Sequence, residues 1–122
     1  MAKRILMADD SDIFRKLQGT YLKNQPYELI FAEDGAKALE RINALKPDLV
    51  ILDLLMPGLE GDKICRIIKS AESLRHIPVI MISTRGDNSG QTRCLQAGCD
   101  LFISKPINRQ EFLGAIRRLA PV

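Results

Sequence analysis

Five short apolar runs alternate along the chain with segments whose apolar residues recur every three or four positions. The runs are residues 5–8, 29–32, 49–52, 79–82 and 101–103. The first, third and fourth runs are continuously apolar, which is typical of parallel strands covered on both faces. Strand and helix patterns in alternation predict an α/β fold with one parallel sheet and right-handed crossovers.

The apolar positions between the runs predict one buried face for each of four helices. These faces comprise Ile13, Leu17 and Tyr21; Leu39, Ile42 and Leu45; Ile64, Ile67, Ile68 and Ala71; and Phe112, Ile116 and Leu119. Asp34 and Gly35 open the second helix, residues 46–48 close it, and Gly98 ends the fourth. Glycine and short polar residues dilute the start of the fourth helix, residues 87–97, so we expect a mobile first turn there.

Length and composition favour one globular domain, residues 1–122. The chain is 46% hydrophobic and 27% charged, as in soluble proteins. Its apolar runs fall far short of the roughly 20 residues needed to span a bilayer. The start of the chain lacks the long apolar stretch of a secretory signal. We therefore expect a cytoplasmic protein with no membrane partner.

Cysteine spacing and charge argue against two other classes of protein. Cys65, Cys94 and Cys99 do not form a C-x-x-C motif, and His76 is the single histidine. This is a poor set for a zinc or redox site, so we expect small reduced core residues or helix neighbours. The net charge of +3 is mild, and its basic residues are scattered rather than arranged in a stripe with aromatic residues. We expect no direct nucleic-acid partner.

Polar and charged side chains that could take part in catalysis or binding follow four of the predicted strands. Asp9 and Asp10 follow the first strand, Asp53 the third, Ser83 the fourth and Lys105 the fifth. Because functional residues of open α/β sheets gather beyond the carboxyl ends of the strands, we expect these side chains to meet at one edge.

Three neighbouring carboxylates resist ionising together unless a cation lies among them, and Mg2+ prefers carboxylate oxygens. A carboxylate beside Mg2+ can attack phosphorus and form an aspartyl phosphate. Lys105 and the Ser83 hydroxyl suit the new phosphoryl oxygens. Taken singly, Asp9 and Asp10 could be helix caps, Asp53 a turn residue, and the other two surface residues. All of these readings would have to hold together at the same edge.

These residues resemble the response-regulator receiver family, to which the bacterial chemotaxis regulator belongs, over nearly the whole chain. The motifs are ADDS at 8–11, DLLMPG at 53–58 with Gly61, PVIMIS at 78–83, Ala97 with Gly98, and Lys105 with Pro106. The resemblance implies a flavodoxin-like, doubly wound fold with five helices and a five-stranded parallel sheet of strand order 2-1-3-4-5.

The resemblance also implies a phosphoprotein of a two-component system, with Asp53 as the phosphoacceptor. The donor would be a sensor histidine kinase or a phosphotransfer protein. Asp10 and Asp53 would bind Mg2+ directly, Asp9 would bind it through water, and the backbone carbonyl of Leu55 would complete the protein ligands. Lys105 would pair with the acceptor or its phosphoryl group, aimed by a cis peptide bond to the next residue.

In the family, two residues pass the signal on, and Ser83 and Phe102 fill those positions. Phosphate on Asp53 would draw the Ser83 hydroxyl inward, and the Phe102 ring would rotate from exposed to buried. The surface of helix four, strand five and helix five would change and control a downstream protein. An ordinary core aromatic is the alternative for Phe102. The chain would not be an enzyme beyond promoting its own phosphotransfer and dephosphorylation.

The chain departs from the family pattern at four positions. Leu55 and Arg85 lie two residues beyond Asp53 and Ser83, along the route of the hydrolytic water. An apolar Leu55 cannot orient water, so we predict slow loss of the phosphoryl group. Leu101 and Ala115 replace the acid and arginine that support a dimer in the subfamily resembling winged-helix transcription factors. We therefore expect a monomer or weak dimer without a DNA-binding output.

Three rival readings are weaker. A haloacid-dehalogenase-type enzyme would need a second aspartate where Leu55 lies, and a flavin-binding protein would need a hydroxyl- and glycine-rich loop after the first strand. The remaining alternative is a pseudo-receiver, which binds partners without phosphorylation. Its usual mark is a missing acid or lysine, and none is missing here.

Overall fold

The computed structural model describes residues 2–83 and 88–122, without the side chain of Asn88. Strands and helices alternate in this part of the chain. They are β1 (Lys3–Ala8), α1 (Asp12–Tyr21), β2 (Tyr27–Ala32), α2 (Gly35–Leu45), β3 (Leu49–Asp53), α3 (Gly61–Ser70), β4 (Val79–Ser83), α4 (Asn88–Gln96), β5 (Leu101–Ser104) and α5 (Arg109–Leu119). Each predicted apolar run is part of a strand, with ends that agree within two residues.

The five strands form one parallel sheet in the order β2-β1-β3-β4-β5. This order confirms the predicted doubly wound, flavodoxin-like architecture. Every residue of β3 and β4 is buried, whereas the edge strands β2 and β5 are buried only in part. The continuously apolar sequence of the central strands follows from this burial on both faces.

Side chains that alternate along the strands supply two separate cores, one on each face of the sheet. On one face, Leu52 and Met81 pack with residues of α2, α3 and α4. On the other face, Ile51 and Ile80 pack with Phe112 and other residues of α5. Helices on both faces thus fix the sheet and leave its carboxyl edge open for function.

Local capping explains where several helices begin and end. The Asp34 carboxylate accepts a hydrogen bond from the Lys37 backbone N–H at 2.8 Å and caps α2, as predicted. Lys46 ends α2 in the left-handed conformation with φ of 45°. Gly98 follows α4 with φ of 90°, a conformation that favours glycine. These boundaries confirm the predicted helix ends.

The predicted buried face of α1 was wrong at its first turn. Ile13 is 76% exposed, whereas the polar Gln18 is 2% exposed. The inward side of α1 is shifted by one residue, because Phe14 faces the carboxyl edge of the sheet instead of Ile13. Ile67, predicted on the inward face of α3, is also exposed.

Some sequence predictions fall on residues 84–87, outside the described part of the chain. These are the role of Arg85 and the first residue of the predicted fourth helix, residues 87–97. Among the residues that are described, no helix is long and apolar enough to cross a membrane.

Cys65 and Cys94 are buried free cysteines, and burial raises the pKa of each thiol to about 12. Both therefore behave as core residues.

Candidate functional site

The order of the strands brings four predicted side chains to one edge of the sheet. Asp9 follows β1, Asp53 ends β3, and Lys105 follows β5. Backbone hydrogen bonds continue beyond the strands here. The Lys105 N–H donates to the Ser83 carbonyl at 2.8 Å, and the Asp9 N–H donates to the Ala32 carbonyl at 3.1 Å. We call Asp9, Asp10, Asp53 and Lys105 the edge cluster.

The carboxylates of the edge cluster lie close enough to share one ion. Asp9, Asp10 and Asp53 each offer an oxygen within 4.8 Å of the others. Asp9 and Asp53 are buried, and Asp10 is exposed. A hard divalent cation such as Mg2+ fits this set, because it binds a few carboxylate oxygens and keeps waters on its open side.

Backbone donors fix the two buried carboxylates. The Ser11 N–H donates to Asp9 Oδ1 at 2.9 Å, and the Leu55 N–H donates to Asp53 Oδ1 at 3.4 Å. Gly61 packs against the backbone of Asp53, since a Cβ there would lie 2.3 Å from the Asp53 carbonyl oxygen. A larger residue at position 61 would displace the strand end that carries this carboxylate.

Lys105 supplies the positive charge of the edge cluster. Its side chain is 5% exposed, and its Nζ donates to Asp9 Oδ2 at 3.0 Å and to Asp53 Oδ2 at 3.3 Å. The peptide bond between Lys105 and Pro106 is cis, as the resemblance implies. One ammonium group therefore faces two buried carboxylates, with the exposed Asp10 beside them.

The electrostatic balance of the edge cluster is unfavourable to an ionised Asp53. Burial raises the pKa of Asp53, and the nearby Asp9 charge raises it further, while Lys105 lowers it; the result is about 6. A cation placed among the carboxylates would lower the pKa again, because it stabilises the charged form. Such a cation would also favour the ionised, nucleophilic state of Asp53.

Ser83 and Phe102 lie on neighbouring strands and on one face of the sheet. Ser83 is buried at the end of β4. Phe102 of β5 pairs in register with Met81, two residues before Ser83, so its side chain shares the Ser83 face. The Phe102 ring is half-buried against the core formed with α3 and α4. Their switching roles remain predictions.

Leu55 lies beside Asp53 and is 41% exposed. It presents an apolar side chain where the family route for the hydrolytic water was predicted. The roles of its side chain in dephosphorylation and of its carbonyl in metal binding remain predictions.

Two contacts of the edge cluster were missed in the sequence. The ring of Phe14 lies beneath the Lys105 ammonium, with 3.8 Å between Nζ and the ring centroid. Arg15 Nη1 donates to the Asp9 carbonyl oxygen at 2.6 Å. Phe14 lies in the first turn of the helix that directly follows Asp9 and Asp10, and this closeness in sequence was the available signal.

Comparison with known proteins agrees with this geometry. The family model for the response regulator receiver domain matches residues 5–117. The phosphate regulon transcriptional regulatory protein PhoB of Klebsiella pneumoniae is 32% identical over 126 residues, covering 100% of this chain and 55% of PhoB. The polar-differentiation response regulator DivK of Brucella ovis is 32% identical over 117 residues, covering 96% of this chain and 95% of DivK.

Solved structures give the same result. The signal receiver domain of a signal transduction histidine kinase from Syntrophus aciditrophicus superposes with a TM-score of 0.90 at 32% identity. The match covers 97% of this chain and 89% of that domain. The chain spans about half the length of PhoB and nearly all of DivK.

Proposed function

The chain belongs to the response regulator receiver domain family, and we propose that it acts as a phosphorylation-dependent signalling switch. Receiver domains receive phosphoryl groups from kinases and act on downstream partners. In this chain the phosphoacceptor would be Asp53, and the donor a sensor histidine kinase or a phosphotransfer protein. The convergence of the edge cluster carries the proposal.

The donor set of the edge cluster suits Mg2+. Asp10 and Asp53 would hold the ion directly, Asp9 would hold it through water, and the Leu55 carbonyl would complete the protein ligands. When bound, the ion supplies positive charge that offsets the carboxylates and the oxygens of the phosphoryl group.

Three side chains of the protein would take part in the transfer of the phosphoryl group. An Asp53 oxygen forms a bond to phosphorus while the bond from phosphorus to the donor's imidazole nitrogen breaks, and that nitrogen keeps the electron pair. Lys105 offsets the charge of about −2 that the phosphoryl group brings. The Ser83 hydroxyl donates a hydrogen bond to a phosphoryl oxygen.

The signal would leave the site through Ser83 and Phe102. An inward shift of Ser83 makes room for the Phe102 ring to become buried, and the surface of α4, β5 and α5 changes for a downstream protein. The chain would act as a monomer or weak dimer in the cytoplasm, without contacting nucleic acid. It would catalyse nothing beyond its own phosphotransfer and dephosphorylation.

Intact mass after incubation with acetyl phosphate and Mg2+ tests the proposal. We expect a single phosphoryl addition in the wild type and none in Asp53→Asn. Asp48→Asn is the matched control, because Asp48 lies before β3, at the opposite edge of the sheet, and binds the Arg4 N–H. A chain that takes no phosphoryl group would favour the pseudo-receiver instead, and equal addition in Asp53→Asn would exclude Asp53 as the phosphoacceptor.

A further inference from the structure

The Lys105 ammonium has an aromatic neighbour in addition to its two carboxylates. The ring centroid of Phe14 lies 3.8 Å from Nζ, close to the distances of 3.0 and 3.3 Å to Asp9 and Asp53. A buried ammonium is costly unless its charge is offset on each side. The face of an aromatic ring attracts a cation, and the attraction is stronger where water is excluded.

The position of Phe14 is set by the same short segment that positions Asp9. The Ser11 N–H donates to Asp9 Oδ1 at 2.9 Å, and the Phe14 N–H donates to Ser11 Oγ at 3.4 Å. The ring therefore belongs to the first turn of a capped helix that begins at the edge cluster. Such a turn holds the ring in place better than a loop would.

A second contact holds α1 against the segment after β5. The Tyr21 hydroxyl donates to the Ile107 carbonyl at 3.0 Å, and the Tyr21 ring lies 6.1 Å from the ring of Phe112. Helix α1 thus contacts the segment that carries Lys105 at two points, two residues apart. Phe14 provides the contact nearest to the carboxylates.

The three partners of Lys105 differ in what happens to them during phosphotransfer. Asp53 becomes an aspartyl phosphate, and Asp9 belongs to the set of metal-binding oxygens. The Phe14 ring undergoes no chemical change. A long flexible ammonium side chain that exchanges a carboxylate partner for a phosphoryl group is held in place better by a partner that stays.

We propose that Phe14 is a positioning residue, whose ring face holds the Lys105 ammonium at the phosphoacceptor throughout phosphotransfer. This role rests on the proposed function of Asp53. It assigns Phe14 no contact with the reacting atoms, and it acts through Lys105.

Three variants separate this role from simple packing. Phe14→Leu keeps the apolar bulk and removes the ring, while Phe14→Tyr keeps the ring face. Phe31→Leu is the matched control, because Phe31 lies on the edge strand β2 beside Gly19 and is not part of the edge cluster. If Phe14→Leu fails to fold, Phe14→Met provides a second apolar side chain without a ring.

The first measurement is the NMR chemical shift of the Lys105 ε-methylene protons, assigned with Lys105→Arg. The ring current of Phe14 should move these protons upfield in the wild type, in Phe14→Tyr and in Phe31→Leu, and the shift should vanish in Phe14→Leu. An ordinary lysine shift in the wild type would overturn the proposal. This result does not depend on phosphorylation.

The second measurement is the rate of phosphorylation by acetyl phosphate at saturating Mg2+. We expect Phe14→Leu to be slower by about tenfold, and Phe14→Tyr and Phe31→Leu to stay within about twofold of the wild type. Equal rates in Phe14→Leu and the wild type, or equal slowing in Phe14→Leu and Phe14→Tyr, would overturn the positioning role. A wild type that takes no phosphoryl group while keeping the ring-current shift would overturn the proposed function, and the positioning role with it, but not the contact.

Discussion

Among the described residues, Lys105 and Arg93 each contact two carboxylates, and the surroundings of these two groups differ. In the edge cluster the Lys105 side chain is 5% exposed. Between α3 and α4, Arg93 Nη2 contacts Glu60 Oε2 at 3.2 Å and Asp62 Oδ2 at 3.1 Å, and the Arg93 side chain is 40% exposed. We call this second group the helix clamp.

The difference in burial gives the two groups different electrostatics. Water and salt reach Arg93 and Glu60 of the helix clamp and screen their ion pair, which therefore contributes little to stability, while Asp62 is buried. In the edge cluster two buried carboxylates face one ammonium and a third, exposed carboxylate lies beside them, which leaves negative charge uncompensated. A site with this imbalance suits a divalent cation, whereas the helix clamp joins two helices.

Removing the cation from the edge cluster should have the largest effect on stability. In Lys105→Met the two buried carboxylates lose their shared partner, and we expect the free energy of unfolding to fall by about 3 kcal/mol without divalent cations. Added Mg2+ should restore part of the loss. Urea unfolding with and without Mg2+ measures both; a loss below that of the Arg93 variant described below would remove the distinction between the clusters.

Removing the Asp53 charge should raise the free energy of unfolding, in contrast to Lys105→Met. The pKa of Asp53 rises from its ordinary value of 3.8 to about 6 in the folded chain. Between these values the folded state binds more protons than the unfolded state, so this carboxyl makes the protein less stable as the pH rises. We expect Asp53→Asn to be more stable than the metal-free wild type by about 2 kcal/mol above pH ~7, with little difference below pH ~4.

Urea unfolding over this pH range in the presence of a chelator checks the prediction. Asp48→Asn again serves as the control, because Asp48 lies outside the edge cluster. Parallel profiles of unfolding free energy against pH for the wild type and Asp53→Asn would mean that the pKa of Asp53 is not raised in the folded chain.

The lifetime of the phosphoryl group on Asp53 tests the chemistry proposed for the edge cluster. Leu55 lies at the rim of the edge cluster and cannot orient a water molecule, whereas an asparagine could. We expect Leu55→Asn to accelerate loss of the phosphoryl group by about tenfold. Intact mass at intervals after removal of acetyl phosphate gives the rate, and an unchanged rate would refute the assignment of Leu55.

Breaking the helix clamp should have the smallest effect. Since Arg93 is well exposed, we expect Arg93→Met to lower the free energy of unfolding by at most about 1 kcal/mol, and by less at high salt. Urea unfolding at low and high salt measures this loss. A cost equal to that of Lys105→Met would show that exposure does not distinguish the two clusters.

The sequence was sufficient where local pattern and topology decide the outcome. Apolar runs located the strands, since burial on both faces of the sheet requires them, and the parallel order of the strands gathered Asp9, Asp53 and Lys105 at one edge. The burial of Gln18 and the exposure of Ile13 were not predictable, because the tilt of α1 depends on distant packing.

Contacts between distant elements were also missed. Phe14 and Lys105 lie in separate segments far apart in the chain. Arg93 of α4 contacts Asp62 of α3. No periodicity within a single segment encodes such pairs, since each residue alone fits an ordinary position in its own helix or loop. They become visible only when the helices are placed against the sheet.

The dependence of Asp53 phosphorylation on Mg2+ tests the central claim most directly. With acetyl phosphate as donor, the phosphorylation rate should rise with Mg2+ to a plateau in the wild type. It should vanish in chelator and need a higher Mg2+ concentration in Asp10→Asn. Phosphorylation that proceeds equally well in chelator, or that is indifferent to Asp10→Asn, would contradict a shared cation site among these carboxylates.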